Sequence, residues 1–508
     1  MKQLLLSSAI LVSFLLMLAS NPAAMQEKQQ PTRVKIIQAD ELRFERRFGK
    51  DIRRLLGNVI LEHDEVLMYC DSAYMQEASN SFEAFSNVKI NSGDTLFLYG
   101  KYLRYNGNTR LAEVFYDVKL VDDNTVLTTE QLNYNRNTGI AYYEREGKIT
   151  DDENDLTSRS GYYMTEEKRA HFRKNVVLVN PEYVMRSDTL VYHTETQVSS
   201  FFGPTTIDAD DSFIYCENGW YDTKNDKAQF NKHAYIISGE HNIRGDSLYY
   251  NRADESAKAF ENVVIVDTVQ NVILKGNYSE YYKHLGYTYI TDIPVAIFIE
   301  NGDSLYMHAD TIRTTFNQDQ DIERVMAYYK VKFFRDDLQG SCDSLVYKMS
   351  DSLIVMYRDP VLWTGESQLS ADSIHVNTNG EAIETLELYN SAFLINNDDS
   401  LQFNQVKGRN MTGYFVDGSL DNIVVVGNAE TLYYVKEEDG YLIGINKAVA
   451  SRMRIKLEDS KISRIYYFEK PDGTTFPDKD LPASERQLPD FNWRDDKRPK
   501  VWTDIFNR

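Results

Sequence analysis

The side chains most often used for catalysis or metal binding are scattered in this chain of 508 residues. Its eight histidines show no metal-ligand spacing such as His-x-x-x-His, and no Gly-x-Ser-x-Gly or phosphate-binding glycine loop occurs. Acidic clusters at residues 208–211, 319–321 and 397–399 lack the glycine and distal glutamate of a calcium loop, so we interpret them as solvated turns. We expect no enzyme, no metal and no cofactor.

The three cysteines occupy one position of a repeat and do not form a close pair. Cys70, Cys216 and Cys342 lie over a hundred residues apart, and each directly precedes an acidic residue. Other copies of the repeat carry Ala, Gly or Ser at this position, and an unpaired cysteine packs like a small apolar side chain. The spacing therefore predicts three packed thiols and neither a disulfide framework nor a metal site.

Apolar residues with a repeated spacing predict the elements of the fold. Residues 245–267, GDSLYYNRADESAKAFENVVIVD, show the unit most clearly: Leu248 and Tyr250 are two residues apart, and a polar turn follows. Two apolar runs then stand on either side of Glu261-Asn262. Side chains of a strand point to alternate faces, so a spacing of two marks one buried face. The unit predicts a strand, a turn, a strand, a corner and a strand.

The same unit recurs along almost the whole chain. The position of Asp246 returns in thirteen copies, most of them 28 to 33 residues apart, and the corner residue is usually Asn, Asp, Gly or Pro. Such a period indicates one supersecondary unit stacked on itself, and a strand-breaking residue at a fixed place indicates a sheet that bends. The predicted fold class is all-β, with serial antiparallel strands in an elongated β-jellyroll or in two such rolls in tandem.

The pattern divides the chain into four segments. Residues 1–24 are interpreted as a cleaved secretory signal, because a short apolar run follows Lys2; a retained anchor is the alternative. Residues 34–240 and 241–470 carry the repeats, and residues 471–508 form a proline-rich tail. The net charge of −21 argues against nucleic acid as a partner.

One face of the repeats is predicted to form an apolar interior. The candidate binding residues on this face are Leu103, Tyr105, Leu132, Tyr134, Leu190, Tyr192, Leu248, Tyr250, Leu345 and Tyr347. In a narrow roll these side chains fill a dry core, and in a wider roll they line an apolar groove; the sequence leaves both open. A methylene removed from water contributes about 0.8 kcal/mol, so a groove could hold acyl chains without charge contacts.

Five short motifs carry a resemblance to a known family. They are Ala39-Asp40-Glu41-Leu42, Gly57-Asn58-Val59, Cys70-Asp71-Ser72, Ser187-Asp188-Thr189-Leu190-Val191-Tyr192 and Gly245-Asp246-Ser247-Leu248-Tyr249-Tyr250. With these motifs the chain resembles the OstA/LptA family, in particular the OstA-like proteins of Bacteroidetes-type Gram-negative bacteria, over roughly residues 34–475. The resemblance implies a jellyroll that carries lipopolysaccharide across the periplasm, with the acyl chains inside the roll, and a periplasmic or outer-membrane-associated location.

The expected partners are lipopolysaccharide and other jellyroll components of the same transport system, joined end to end. An open roll ends in strands with unpaired N–H and C=O groups, which we expect near residues 34–44 and 452–468. The tail after residue 471 either caps the second edge or docks a partner. A structural or adhesive surface β-solenoid without a lipid ligand is the alternative function.

Overall fold

The computed structural model describes residues 32–507, apart from gaps at 45–51, 94, 211, 240, 301, 319–321, 380–382, 400–401, 417–418, 438–439 and 459–460. The predicted signal at residues 1–24 and the acidic cluster at 319–321 lie outside the described residues. Strands make up 74% of the structure, and the described part of the chain contains no α-helix. The predicted all-β class with serial antiparallel strands is therefore confirmed.

The chain divides into two compact units, residues 1–152 with 162–167 and residues 153–161 with 168–508. The strands of the first unit are β1 (Lys35–Gln38), β2 (Glu41–Phe44), β3 (Ile52–His63), β4 (Val66–Gln76), β5 (Ser81–Ser92), β6 (Leu96–Asn106), β7 (Leu111–Asp122), β8 (Thr125–Asn135), β9 (Ile140–Tyr143) and β10 (Gly147–Thr150). After β11 (Asp155–Ser158), which belongs to the second unit, β12 (Ser160–Met164) contains residues of both.

The second unit continues the series to the end of the chain. Its long and short strands are β13 (Arg169–Asn180), β14 (Tyr183–His193), β15 (Val198–Ala209), β16 (Ser212–Asp222), β17 (Lys227–Ser238), β18 (His241–Asn251), β19 (Ser256–Asp267), β20 (Val272–Tyr282), β21 (Tyr287–Thr291), β22 (Val295–Glu300), β23 (Asp303–His308), β24 (Thr311–Phe316), β25 (Ile322–Arg335), β26 (Leu338–Lys348), β27 (Leu353–Tyr357), β28 (Val361–Thr364), β29 (Ser367–Ser370), β30 (Ser373–Thr378), β31 (Ile383–Asp399), β32 (Gln402–Val416), β33 (Ser419–Lys436), β34 (Leu442–Glu458), β35 (Lys461–Phe468) and β36 (Asp472–Phe476).

Neighbouring strands pair as antiparallel hairpins, as the repeat predicts. β17 pairs with β18 from Ser238↔His241 to Lys227↔Asn251, and β18 pairs with β19 in the same way. The predicted division between residues 240 and 241 falls in the turn of the β17–β18 hairpin, and it stays a prediction. Some corners separate a strand into two short ones: Pro294 lies between β21 and β22, where its missing N–H cannot join a strand ladder.

Most corners are β-bulges built from two residues in the left-handed region of backbone space. In β19, Glu261 and Asn262 have φ values of 54° and 52°, and the register shifts between Phe260 and Val263. Asparagine tolerates this conformation better than most residues, and a bulge bends the strand that carries it. The predicted bend at each Asn-Val motif is present, and it divides every long strand into two arms.

The C-terminal segment begins with a strand and then lies against the sheet. β36 pairs with the start of β34, while β35 pairs with its end. Four 3₁₀ turns follow at Asp478–Asp480, Ala483–Glu485, Asp495–Lys497 and Trp502–Phe506. Leu481 and Leu488 are buried in a cluster with Ile395 and Leu432, and Trp493 packs against Phe403 with ring centroids 5.3 Å apart.

Candidate functional site

The inner face of each unit carries a row of mostly apolar residues across its strands. We call this row, which contains the predicted leucine positions, the leucine row. In the first unit it consists of Leu42, Leu55, Ala73, Ala84, Leu103, Val114 and Leu132. In the second unit its members from β13 to β27 are Phe172, Leu190, Phe201, Gly219, Phe230, Leu248, Ala259, Ser279, Ile290, Ile312, Ala327, Leu345 and Met356. All five predicted leucines lie in this row and are buried.

The predicted tyrosines lie two residues further along the same face and, apart from Tyr105 opposite Phe82 and apart from Tyr347, alternate with small residues on the neighbouring strands. In the second unit this tyrosine row consists of Ala170, Tyr192, Ser199, Tyr221, Ala228, Tyr250, Ala257, Tyr281 and Thr288. A large ring between two small side chains fills the row without overpacking it. Tyr347 has larger neighbours, Val325 and Ile354, and is half-buried.

A second row, on the arm at the other side of the corner, completes the interior. We call it the opposite row. In the first unit it consists of Leu61, Met68, Ile90, Leu98, Leu120, Leu127 and Ile149. In the second unit it runs through Leu156, Leu178, Met185, Ile207, Ile214, Ile236, Ile243, Ile265, Leu274, Ala296 and Met307. None of these residues is among the binding residues predicted from the sequence.

A periodic signal for the opposite row was present in the sequence. Ile214, Ile243 and Leu274 each lie three residues before the position equivalent to Asp246 in their repeat, and Leu98 and Leu127 do the same in the first unit. On these strands the two inward positions lie five residues apart, as Ile243 and Leu248 do, so a simple period of two does not connect them; the extra residue of the bulge lies on the neighbouring strand. For this reason a period of two predicts the leucine row and does not predict the opposite row.

Polar contacts between the arms close the interior of the first unit. The buried His63, on one arm, lies with its Nδ1 atom 2.7 Å from the Tyr105 hydroxyl on the other, and Arg136 donates to the same hydroxyl at 2.8 Å. Burial lowers the pKa of His63 and raises the pKa of Tyr105, so both side chains stay neutral near pH 7. Arg110 adds an ion pair to Asp64 between two hairpin turns, with an N–O distance of 2.7 Å. Of these residues, only Tyr105 was predicted from the sequence to lie on the interior face.

Similar contacts join the arms at the beginning of the second unit. The rings of Tyr183 and Tyr221 meet edge to face with centroids 5.6 Å apart, and Arg252 pairs with Glu182 at 2.9 Å across 70 residues of chain. Tyr192 is 3% exposed. The interior is therefore closed here as well.

The interior is open to solvent in the strands that follow. Five successive members of the opposite row, on β16 to β20, are only half-buried: Ile214, Ile236, Ile243, Ile265 and Leu274. Tyr250, which lies in the tyrosine row on β18, is 39% exposed, whereas Tyr105 and Tyr134 are 2% and 5% exposed. Before and after this stretch the same row is sealed, with Ile207 at 6% and Ala296 at 0%. We call these five side chains the isoleucine stripe.

The isoleucine stripe offers a ligand apolar contact and no built-in charge. A strip of branched aliphatic side chains that water reaches gains free energy when an apolar chain covers it, at about 25 cal/mol per Å² of buried apolar surface. The sealed rows cannot offer this gain, because their side chains already touch one another. The stripe and its tyrosine neighbours Tyr250 and Tyr281 are therefore the strongest candidate for a binding surface inside the described residues.

A separate cavity of about 700 Å³ lies in the first unit at the end of the leucine arm. It is lined by charged side chains, including Glu83, Arg104 and Glu113, together with Phe82 and Tyr105. Its mixed lining suits a polar ligand better than a hydrocarbon chain, and it does not coincide with the isoleucine stripe.

The three cysteines pack as the repeat predicts. Cys70, Cys216 and Cys342 are buried and unpaired, and burial raises the pKa of each thiol to about 12. The described residues also contain no group of three or more His, Cys, Asp or Glu side chains placed to hold a metal ion. Within the same residues, no helix has the length and apolar character needed to cross a membrane.

Fold and site together define a class of all-β proteins in which a folded antiparallel sheet encloses an apolar interior. Residues 31–188 match a family model described as OstA-like protein, and residues 301–382 match one described as LptA/(LptD N-terminal domain) LPS transport protein. Over these two segments the chain is similar to OstA/LptA-like proteins.

Two further comparisons add context. LptH of Pseudomonas aeruginosa, described as the LptA homologous periplasmic component of the lipopolysaccharide transport device, is a solved structure with 14% identity. The similarity covers 21% of this chain and 82% of LptH, with a TM-score of 0.20. No curated protein matches this chain significantly.

Proposed function

We propose that this chain is a periplasmic lipopolysaccharide-binding and transport protein that shields acyl chains in the interior of its second unit. The observation that carries this proposal is the isoleucine stripe, a run of five inner-face side chains that are half-exposed between two sealed stretches. The two family matches support the transport role. This assignment implies that the chain is exported to the periplasm and that it associates there with the outer membrane.

Binding through acyl chains also accommodates the negative charge of the protein. The chain carries 77 acidic and 56 basic residues, a charge that repels the phosphates of lipopolysaccharide at long range. A hydrocarbon chain on the isoleucine stripe needs no charge contact, and each methylene that leaves water contributes about 0.8 kcal/mol. Ten buried methylenes would therefore outweigh a surface charge effect of about 1 kcal/mol.

Photo-crosslinking in living cells tests the proposal. Benzoylphenylalanine placed at Ile243, in the isoleucine stripe, should capture lipopolysaccharide, which a lipid A antibody detects as a band of increased mass. The matched control is Leu120, which occupies the equivalent row in the first unit and is 1% exposed. Adducts at both positions, or at neither while the protein is folded and periplasmic, would contradict binding at the stripe.

A structural or adhesive solenoid without a lipid ligand remains the competing function. It requires the protein to reach the cell surface, where protease added to intact cells degrades it. A periplasmic carrier is protected until the outer membrane is permeabilised. Protease protection together with absence of lipid from the purified protein would argue against both functions.

We propose further that jellyroll components of the same system join this chain end to end. In the first unit, β1 and β2 pair with β3 only, among the described strands, and carry Ile37 and Phe44, which are 52% and 68% exposed. Such an edge accepts another strand through its free N–H and C=O groups. Cysteines introduced at Ile37 and at the matching edge of a partner jellyroll should form a disulfide, and no cross-link at any register along β1 would exclude this edge.

A further inference from the structure

The outer face of the second unit carries a row of side chains that the C-terminal segment covers for part of its length. This outer row crosses the strands and, in order of decreasing residue number, consists of Lys447, Leu432, Gln405, Ile395, Gln368, Trp363, Gln339, Phe334 and Tyr306. It lies on the opposite side of the sheet from the interior, since these residues alternate with inner-face residues such as Leu394 and Leu369. The sheet is therefore apolar on both faces here.

Two glutamines of the outer row, Gln405 and Gln368, bind the backbone of the C-terminal segment. Gln405 donates to the Arg486 carbonyl at 3.0 Å and accepts from the Leu488 N–H at 2.8 Å. Gln368 makes the same pair of bonds with Asn492 and Arg494, both at 2.8 Å. These contacts hold residues 485–498 across the strands, and the apolar side chains of the segment cover the row.

Further along, the segment makes aromatic and charge contacts with the outer face. Trp502 stacks on Tyr306 with ring centroids 5.3 Å apart, and Phe506 lies 4.9 Å from the His308 ring. Lys332, beside His308 in the next cross-strand row, is attracted by Asp504, although burial lowers the pKa of Lys332. Lys407 makes a closer contact, an ion pair with Asp490 at 2.6 Å. The C-terminal segment therefore binds the outer face through aromatic contacts on the outer row and through carboxylates that lie near the flanking lysines.

The same face continues on β22 to β16 without a covering segment among the described residues. Tyr306 pairs with Ile297, and the outer row goes on through Ile273, Val266, Asn242, Ile237 and Phe213. Its apolar members are half-buried except Ile237, which is 42% exposed. We call these residues the free outer face.

Basic side chains flank the free outer face as they flank the covered one. The row that contains Lys332 and His308 continues to Lys275 and Arg244, both exposed. Within the described residues, no carboxylate lies within ion-pairing distance of Lys275 or Arg244. Arg244 lies over the Tyr235 ring at 6.0 Å, where it leaves its charge available to solvent. The free outer face therefore has the same combination of an apolar row and flanking basic side chains as the surface that binds the C-terminal segment.

We infer that the free outer face docks an extended segment of a partner protein that carries aromatic and acidic side chains. The segment lies across the strands, as residues 485–506 do on the adjoining strands, with aromatic rings on Ile273 and Val266 and carboxylates on Lys275 and Arg244. This surface lies on the opposite side of the sheet from the isoleucine stripe, so its occupant and a lipid inside the roll bind separately. The inference does not depend on the identity of the ligand inside the roll.

A peptide in trans tests this inference on the full-length protein. The probe is a capped, fluorescently labelled peptide that copies residues 501–507, VWTDIFN, the part that contacts Tyr306, His308 and Lys332. Fluorescence anisotropy should show saturable binding. Ile273→Asp and Lys275→Glu should each weaken binding at least tenfold, whereas Lys119→Glu, on an exposed strand position of the first unit, should leave it unchanged.

A charge exchange makes the test specific. A peptide with the aspartate replaced by lysine should bind the Lys275→Glu variant better than it binds the natural protein. Absence of saturable binding, or binding that ignores both substitutions in variants with an unchanged circular dichroism spectrum, overturns the inference. So does a result in which Ile273→Asp abolishes self-association or binding to phospholipid vesicles while peptide binding is absent, because the occupant would then be a second copy or a membrane.

Discussion

The Asn262 side chain donates a hydrogen bond from Nδ2 to Asp246 Oδ2 at 2.8 Å, which links the corner of one strand to the acidic position of the preceding strand. The bond recurs between Asn58 and Asp40 at 2.9 Å and between Asn87 and Asp71 at 2.8 Å. Other copies use other pairs at the same place: His233 with Glu217, Lys101 with Asp117, and Arg358 with Asp343. In these six copies the two most regular polar positions of the repeat are therefore partners, and the side-chain contact links the corner to the preceding strand.

Substitution of a corner asparagine should destabilise the protein mainly through its backbone. Asn262 has φ of 52°, so Asn262→Ala forces alanine into the left-handed region at a cost of about 1–2 kcal/mol. Asn262→Gly loses the same hydrogen bond but adopts this conformation freely, so it should cost less. Urea unfolding followed by circular dichroism measures the difference. Equal losses in both variants would assign the effect to the hydrogen bond instead of the backbone.

Truncation of sealed and open interior residues should have different consequences. Leu190 is 0% exposed, so Leu190→Ala leaves a cavity and should lower the free energy of unfolding by about 2–5 kcal/mol. Ile243→Ala, in the isoleucine stripe, removes a side chain that is already half in water and should cost less. It should instead reduce the amount of co-purifying lipid, measured by mass spectrometry. A large loss of stability with unchanged lipid content in Ile243→Ala would mean that the stripe is structural core.

Acid stability should depend on Glu280. Burial alone would raise the pKa of this carboxyl, but hydrogen bonds from Tyr278, Tyr282 and Lys258 outweigh it and lower the pKa from 4.5 to about 2. A depressed pKa contributes stability above the unfolded value, and this stability is lost as the pH falls from about 4.5 through about 2.

The matched variant is Glu280→Gln, which cannot ionise. It should be less stable than the natural protein at pH 7 and should lose less stability between pH 5 and pH 2. Glu195→Gln, in an exposed hairpin turn, serves as the control and should follow the natural protein. Chemical denaturation at each pH gives the comparison, and parallel curves for the natural protein and Glu280→Gln would show that the cluster does not govern acid stability.

Removal of the C-terminal segment should expose apolar surface on the outer face. Deletion of residues 477–508 keeps β36 but uncovers Ile395 and Leu432, which are now 1% and 0% exposed. We expect self-association visible by light scattering and increased binding of an apolar fluorescent dye. Trp502→Ala, which removes a ring that is 47% exposed, should have a much smaller effect. A truncated protein that stays monomeric and binds no dye would exclude a covering role for the segment.

Much of the fold was predictable because its determinants are local. Leu248 and Tyr250 define a strand face by their spacing, and Glu261-Asn262 defines a bend because these residues occupy left-handed backbone angles. The same local logic placed Cys216 at a packed position, which the structure confirms. Each of these inferences depends only on residues that lie within one repeat of the sequence.

The sequence by itself determined the repeat, the corners and the residues that face inward on the leucine arm. Only the tertiary structure decided which part of the interior is sealed and which is open, because closure depends on side chains that are distant in sequence, such as Arg252 with Glu182. Equivalent repeat positions therefore differ: Tyr192 is 3% exposed and Tyr250 is 39% exposed. The path of the C-terminal segment is likewise tertiary, since Gln368 and Asn492 are 124 residues apart and no local pattern predicts their hydrogen bond.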